Sequence, residues 1–150
     1  MSEITLTEAP FEPKNSDVFT LSVTPVLGSN QELTRGIFDQ IKASGIKALI
    51  LTGYATGTVP DKLNPFIKET VERGVPVFVL STNPADAKGP QRIKYESQEK
   101  VLEAGAKILS GVNVNNEEEV AKAVQEAIGE GKTGEELSQA ITDRFGTPEI

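Results

Sequence analysis

The chain has no cysteine and no histidine, and these absences remove more chemistry than any motif in it supplies. No disulfide can form, no thiolate can act as a nucleophile, and neither a Cys/His zinc site nor a Ser-His-Asp triad can be assembled. A catalytic base would have to be a carboxylate, a lysine, a tyrosinate or water. Tryptophan is missing too, and tyrosine occurs twice, at Tyr54 and Tyr95. No window approaches the roughly 20 apolar residues of a membrane span. The opening Met-Ser-Glu-Ile-Thr-Leu-Thr-Glu lacks the basic head and apolar core of a signal peptide. Positive charge is in deficit: the net charge is −7, which argues against nucleic acid, since phosphate contacts need a concentrated cationic surface. These absences leave a cytoplasmic protein with neither membrane nor nucleic acid among its expected partners.

What is present is organised around the stretch from Ile46 to Pro60. Ala48 to Leu51 is a short apolar run bounded by turn residues, the mark of a strand buried on both faces of a parallel sheet. It runs out into Gly53 and Gly57, with Tyr54, Ala55, Thr56 and Thr58 between and after them. Ligands of open parallel sheets sit beyond the carboxyl ends of the strands, so this loop is the first candidate site.

Residues 1–16 hold Pro10 and Pro13 and no periodic apolar pattern, and read as an arm or linker. Val18 to Val23 reads as the first strand. Ser29 with Glu32 reads as a capping box opening a helix to about Ala43, with Leu33, Ile37, Phe38 and Ile41 on its buried face and Ser44-Gly45 closing it. Asn64 is expected to cap a second helix with Pro65 in its first turn and Phe66, Ile67 and Val71 inward; Arg73-Gly74 ends it. Val75 to Leu80 is the third strand and Ser81 to Ile93 a polar loop beyond it. A helix over about Glu96 to Ala104 leads to a short fourth strand at Lys107 to Leu109. Asn115 with Glu118 is expected to cap the helix running to Ile128, and Thr133 with Glu136 a last helix to about Phe145. Alternating strand and helix predicts one α/β domain, a three-layer sandwich of Rossmann or flavodoxin kind. Its four-stranded parallel sheet carries helices on both faces. The expected division is an arm (1–16), the parallel domain (17–128), and a C-terminal helix and tail packed on it (129–150).

In this setting Lys47 to Pro60 resembles the segment of bacterial- and archaeal-type L-asparaginases that enters the Gly-x-Gly-Asn-x-Pro loop of their C-terminal domain. Arg73 to Ser81 is similar to that family's Arg-Gly-(apolar)-Pro-Val-Val-(x)-Ser strand. Tyr95 followed by Leu102-Glu-Ala-Gly105 is similar to its next helix. Ala121-Lys122 and Glu135-Glu136-Leu137 fall where the family has its last two helices. The likeness spans about residues 17 to 145 and implies the fold of that C-terminal domain. It also implies no catalytic residue in this chain, because the family's catalytic threonines and the lysine and aspartate that activate them belong to the N-terminal domain. Differences are visible in the loops. Thr58 stands where the family has an Asn reaching toward a neighbouring subunit, and Ala55 replaces its first loop glycine. Thr24 to Gly28 replaces a Tyr-Pro-Gly turn, Val114-Asn115-Asn116 an Asp-Met-Thr, and Ser81-Thr82-Asn83 a Ser-x-Gln or Ser-x-Cys.

The candidate ligand- or partner-binding residues are therefore Tyr54, Thr56, Gly57, Thr58, Ser81, Asn83 and Tyr95. No metal site and no cofactor are expected. The alternative for the threonine loop is a βα turn whose hydroxyls satisfy nearby backbone, and for the tyrosines, packing. A threonine nucleophile needs an adjacent base or a lysine of depressed pKa, and Lys62, Lys88 and Lys94 lie in polar surroundings that would not depress one. Gly131-Lys132-Thr133 imitates a P-loop ending but comes after a helix, not a strand. Glu117-Glu118-Glu119 is explained by the helix dipole. Three functions remain as expectations. The first is a non-catalytic assembly or small-molecule-binding module that pairs with itself or with a separate catalytic domain. The second is an asparaginase/glutaminase-type amidohydrolase, alone or complemented in trans. The third is a sensor of a small amino acid or amide.

Overall fold

The computed structural model describes residues 17–54, 57–82 and 88–150, with backbone only at Pro25 and Val26. The expected arm over 1–16, together with Thr56 and Asn83, lies outside the described residues. Four strands, β1 (Val18–Ser22), β2 (Ala48–Thr52), β3 (Val77–Leu80) and β4 (Lys107–Ile108), form one sheet in the order β1-β2-β3-β4. Every neighbouring pair is parallel, as the sequence predicts. The register joins Leu51 to Leu21 on one side and to Val79 on the other. The helices are α1 (Pro25–Ser29), α2 (Gln31–Ser44), α3 (Asn64–Glu72), α4 (Glu96–Glu103), α5 (Glu117–Gly129) and α6 (Gly134–Phe145), with single 3₁₀ turns at Asp61–Leu63 and Val114–Asn116.

This strand order decides where the helices lie. Each crossover steps to the next strand in the same direction, and parallel crossovers share one hand, so α2, α3 and α4 must fall on the same face. The packing agrees. Leu49, Leu51, Val77, Val79 and Ile108 join Phe38, Ile41, Phe66, Ile67 and Val101 in one apolar cluster. The opposite face, with Ala48, Ile50, Phe78 and Leu80, is left to the helices beyond β4. There Val120 and Val124 of α5 and Leu137, Ile141 and Phe145 of α6 complete a second cluster. The last helix, set off by the Gly129 and Gly131 break, is thus half of a layer. β2 and β3 are fully buried, which is why they read as unbroken apolar runs.

Several local expectations are corrected. Ser29 does not open α2, because the short α1 runs through it; Asn30 takes the cap, its side chain accepting the Leu33 N–H at 3.0 Å. Leu33 is 44% exposed, and the first inward position of α2 is Thr34, whose hydroxyl donates to the carbonyls of Leu27 and Asn30. The 3₁₀ turn already bends the chain before α3, so Leu63 holds the cap position and Asn64 is helical. Val75 and Pro76 precede β3, and Leu49 N–H reaches the Pro76 carbonyl at 2.9 Å. Asn113, not Asn115, accepts the capping bond, from Asn115 N–H at 2.9 Å, and α5 begins at Glu117. Thr133 occupies the cap of α6 without a side-chain cap bond. Helix ends were better signalled: Gly45, Gly74 and Gly105 come just after α2, α3 and α4 with φ of 70°, 88° and 102°, a conformation glycine adopts without a β-carbon clash. Among the described residues no helix is long and apolar enough to cross a membrane.

Candidate functional site

The loops leaving β2, β3 and β4 at their carboxyl ends are laced together by backbone. Gly53 N–H donates to the Leu80 carbonyl at 2.9 Å, and Leu109 N–H to Val79 at 3.1 Å. Val114 N–H donates to Ser81 at 2.9 Å, and Val23 N–H to Thr52 at 3.0 Å. These bonds carry the ladder one residue past the strands and set Gly53 and Tyr54 beside Leu80 and Ser81. The loop after β2 then closes on itself: Tyr54 N–H donates to Thr58 at 2.8 Å, and Gly57 N–H to Tyr54 at 2.8 Å. Gly57 adopts φ +77°, and a β-carbon there would stand 2.7 Å from Ile108 Cγ2 and 3.3 Å from Pro90 Cγ. The back of the loop is therefore pressed against β4 and the connection behind it, which leaves no room for a side chain at 57.

Thr52, Thr58 and Ser81 bring buried hydroxyls to this rim, at 4%, 5% and 1% exposure. Among the described residues Ser81 Oγ has no hydrogen-bond partner, an arrangement that costs free energy unless something else meets the group. Of the sequence-predicted set, Tyr54, Gly57, Thr58 and Ser81 are brought together by these bonds. Tyr95 belongs to the same end of the sheet because it opens α4, but it is 53% exposed. Its N–H donates to Gln98 Oε1 at 3.0 Å, which also accepts Lys94 N–H at 2.7 Å. The packing alternative for Tyr95 does not fit that exposure; the buried Gln98 anchors this helix start. Lys62, Lys88 and Lys94 are exposed, as their polar surroundings suggested. Among the described residues no group of three His, Cys, Asp or Glu is placed to hold a metal.

Sequence reasoning missed a groove of about 560 Å³ between α3 and α4, lined by Asp61, Asn64, Pro65, Lys68, Lys100, Glu103 and Ala104. Two of its charges meet across it: Lys100 Nζ lies 3.2 Å from Asp61 Oδ2. The hydrogen bond and the carboxylate charge of Asp61 hold the Lys100 ammonium above its ordinary pKa. Asn64 Oδ1 is buried there without a donor among the described residues, while the Lys100 and Asp61 side chains at its edge are solvated. No periodic pattern marks it, because its two walls come from helices separated by a strand.

The fold has counterparts among solved structures. L-asparaginase I from Vibrio cholerae superimposes with TM-score 0.67 at 19% identity over 90% of this chain and 38% of its own. The thermostable L-asparaginase from Thermococcus kodakarensis gives 0.62 at 22% identity over 89% of this chain and 38% of its own. A probable cytoplasmic L-asparaginase from Campylobacter jejuni gives 0.52 at 17% over 89% and 38%. No family model matches this chain, and no curated protein does. The chain thus spans 38% of the length of each of these enzymes, and the part it matches is the C-terminal one. Its fold is that of the C-terminal domain of L-asparaginases.

Proposed function

We propose that this domain performs no catalysis by itself and serves as an assembly or binding module of the L-asparaginase type. Its partner would be a second copy or an asparaginase-type catalytic domain. The carrying observation is the one-sided coverage: nine-tenths of this chain matches, but only 38% of each L-asparaginase. By resemblance, the catalytic threonines belong to the part that is not matched. The carboxyl rim suits such a role, because its backbone is fixed by cross-loop bonds while Tyr95 and Leu33, at the starts of α4 and α2, remain exposed. Ammonia release from L-asparagine by the purified chain is the test. None is expected from the chain alone, with activity appearing only when a catalytic-domain polypeptide is added. Hydrolysis by the chain alone would establish the amidohydrolase reading instead. Sedimentation should show self-association at micromolar concentration in the absence of that partner.

The unmet Ser81 hydroxyl favours a second use of the same rim, the binding of a small amino acid or amide. Under this reading such a compound raises the melting temperature by mass action, and Thr58→Val removes the shift. A flat response across the amino acids and their amides would eliminate it.

A further inference from the structure

Beyond α6 the chain does not trail away. Gly146 takes φ 80° and ψ 159°, a region essentially restricted to glycine, and this turns the chain from the helix into an extended run. Ser110 N–H donates to the Gly146 carbonyl at 3.0 Å and Gly111 N–H to Phe145 at 2.7 Å, which fixes the turn against the segment after β4. Farther on, Ile93 N–H donates to the Glu149 carbonyl at 2.7 Å, and Glu149 N–H to Gln91 at 3.0 Å. Arg92 and Glu149 thereby pair in parallel, with their side chains 3.5 Å apart. Pro148 between them is buried; its ring fixes its own φ and biases Thr147 toward extended backbone, so the run is shaped for pairing before it pairs. Gln91 Nε2 reaches the Ser110 and Gly89 carbonyls at 2.6 and 2.9 Å. The connection leading to Tyr95 is thus held between the segment after β4 and the run after α6.

The two ends of this run are held very differently. Phe145 is 6% exposed in the core, whereas the Arg92 and Glu149 side chains are 65% and 77% exposed and Ile150 is fully exposed. Exposed ion pairs contribute little, and short segments with few buried apolar contacts open before the rest of a fold does. We propose that residues 147–150 form a releasable strap that pivots on Gly146. It holds the Gln91–Ile93 connection, and through it the start of α4, onto the carboxyl rim, and it detaches without unfolding either core cluster. Whatever engages residues 147–150 would then loosen that side of the rim.

Amide hydrogen exchange on the full chain, on a chain lacking residues 147–150, and on Glu149→Pro, which deletes the N–H given to Gln91 together with the carboxylate facing Arg92, tests the strap. In the full chain the Ile93 and Glu149 amides should exchange at matching rates, at least about a hundredfold faster than Leu51 and Val79. In the shortened chain Ile93 should lose protection by about tenfold or more while Leu51, Val79 and Gly111 keep theirs. Glu149→Pro should reproduce the loss at Ile93 in part. Ile93 protection unchanged by both variants would show that the run holds nothing. Loss of protection throughout the sheet in the shortened chain, or Ile93 exchanging only with the core in the full one, would show an inseparable part of the fold. Either result overturns the proposal.

Discussion

The Thr58 carbonyl oxygen lies 2.5 Å from the point a β-carbon on Gly53 would occupy, and the same oxygen accepts the Tyr54 N–H at 2.8 Å. The closure of the loop after β2 therefore requires the missing side chain at 53, with Val79 Cγ1 at 3.1 Å closing the other side. Gly53→Ala should lower stability by about 1–3 kcal/mol, as overpacking at a tight backbone approach does. Gly36→Ala in α2, where nothing lies within 4 Å, should raise it by up to about 1 kcal/mol through helix propensity. Urea denaturation of both variants checks the pair. A Gly53→Ala protein as stable as the parent would show that the loop yields.

Leu137 of α6 is fully buried in the cluster that also holds Phe78 and Leu80. Among the described residues that face is covered by α5 and α6, so Leu137→Ala should cost about 2–5 kcal/mol and unfolding should remain a single transition. Melting of α6 ahead of the sheet would instead make the helix separable.

The parts of this molecule legible in the sequence were those fixed by local sterics or by burial on two sides. Ala48 to Leu51 is apolar at every position because both faces of β2 are covered, and Gly45, Gly74 and Gly105 mark helix ends because only glycine takes those angles cheaply. Helix starts were harder, since Ser29 and Asn30, or Asn113, Asn115 and Asn116, offer several side chains able to cap. Which one is used depends on how the preceding turn delivers the chain, as α1 does at Asn30 and the 3₁₀ turn does at Leu63. On the rim, the position of the loop could be inferred from the parallel sheet. The burial of Ser81 and Thr58 and the exposure of Tyr95 could not, because they depend on contacts between loops that the chain separates widely. The Thr34 hydroxyl, bonded to its own helix and to Leu27, shows why Leu33 could be mistaken for the inward residue. An apolar count does not see a buried threonine whose polar atom is already satisfied.

Lys100 titrates above its ordinary value of 10.5, first through its hydrogen bond to Asp61 and then through that carboxylate's charge. A folded-state pKa raised above the unfolded one contributes stability that is complete below the unfolded value and is lost as pH rises through the folded one. Lys100→Met should therefore lower the melting temperature slightly at pH 7, with the difference from the parent shrinking only above about pH 10.5. Because both partners are solvent-exposed, added salt should shrink it at pH 7 as well. A difference that instead disappeared between pH 5 and 8 would assign the effect to another group.

Ser81 carries the most discriminating substitution on the rim. Its hydroxyl is 1% exposed and has no partner among the described residues, whereas its carbonyl is bonded to Val114 N–H. Alanine would keep that backbone bond and remove only the polar atom. Leaving a buried hydroxyl unsatisfied costs about 1–3 kcal/mol, so Ser81→Ala should stabilise the domain, by about 1 kcal/mol or roughly 3 °C in melting temperature. A site whose free form is less stable than it need be is what binding commonly requires. If the rim takes a small polar ligand through this hydroxyl, the same variant should lose the thermal shift that the ligand gives the parent. Higher stability with the shift retained would leave Ser81 a packing defect and move the ligand's contacts to the Tyr54–Thr58 loop. Lower stability would mean that the hydroxyl is hydrogen-bonded in solution after all.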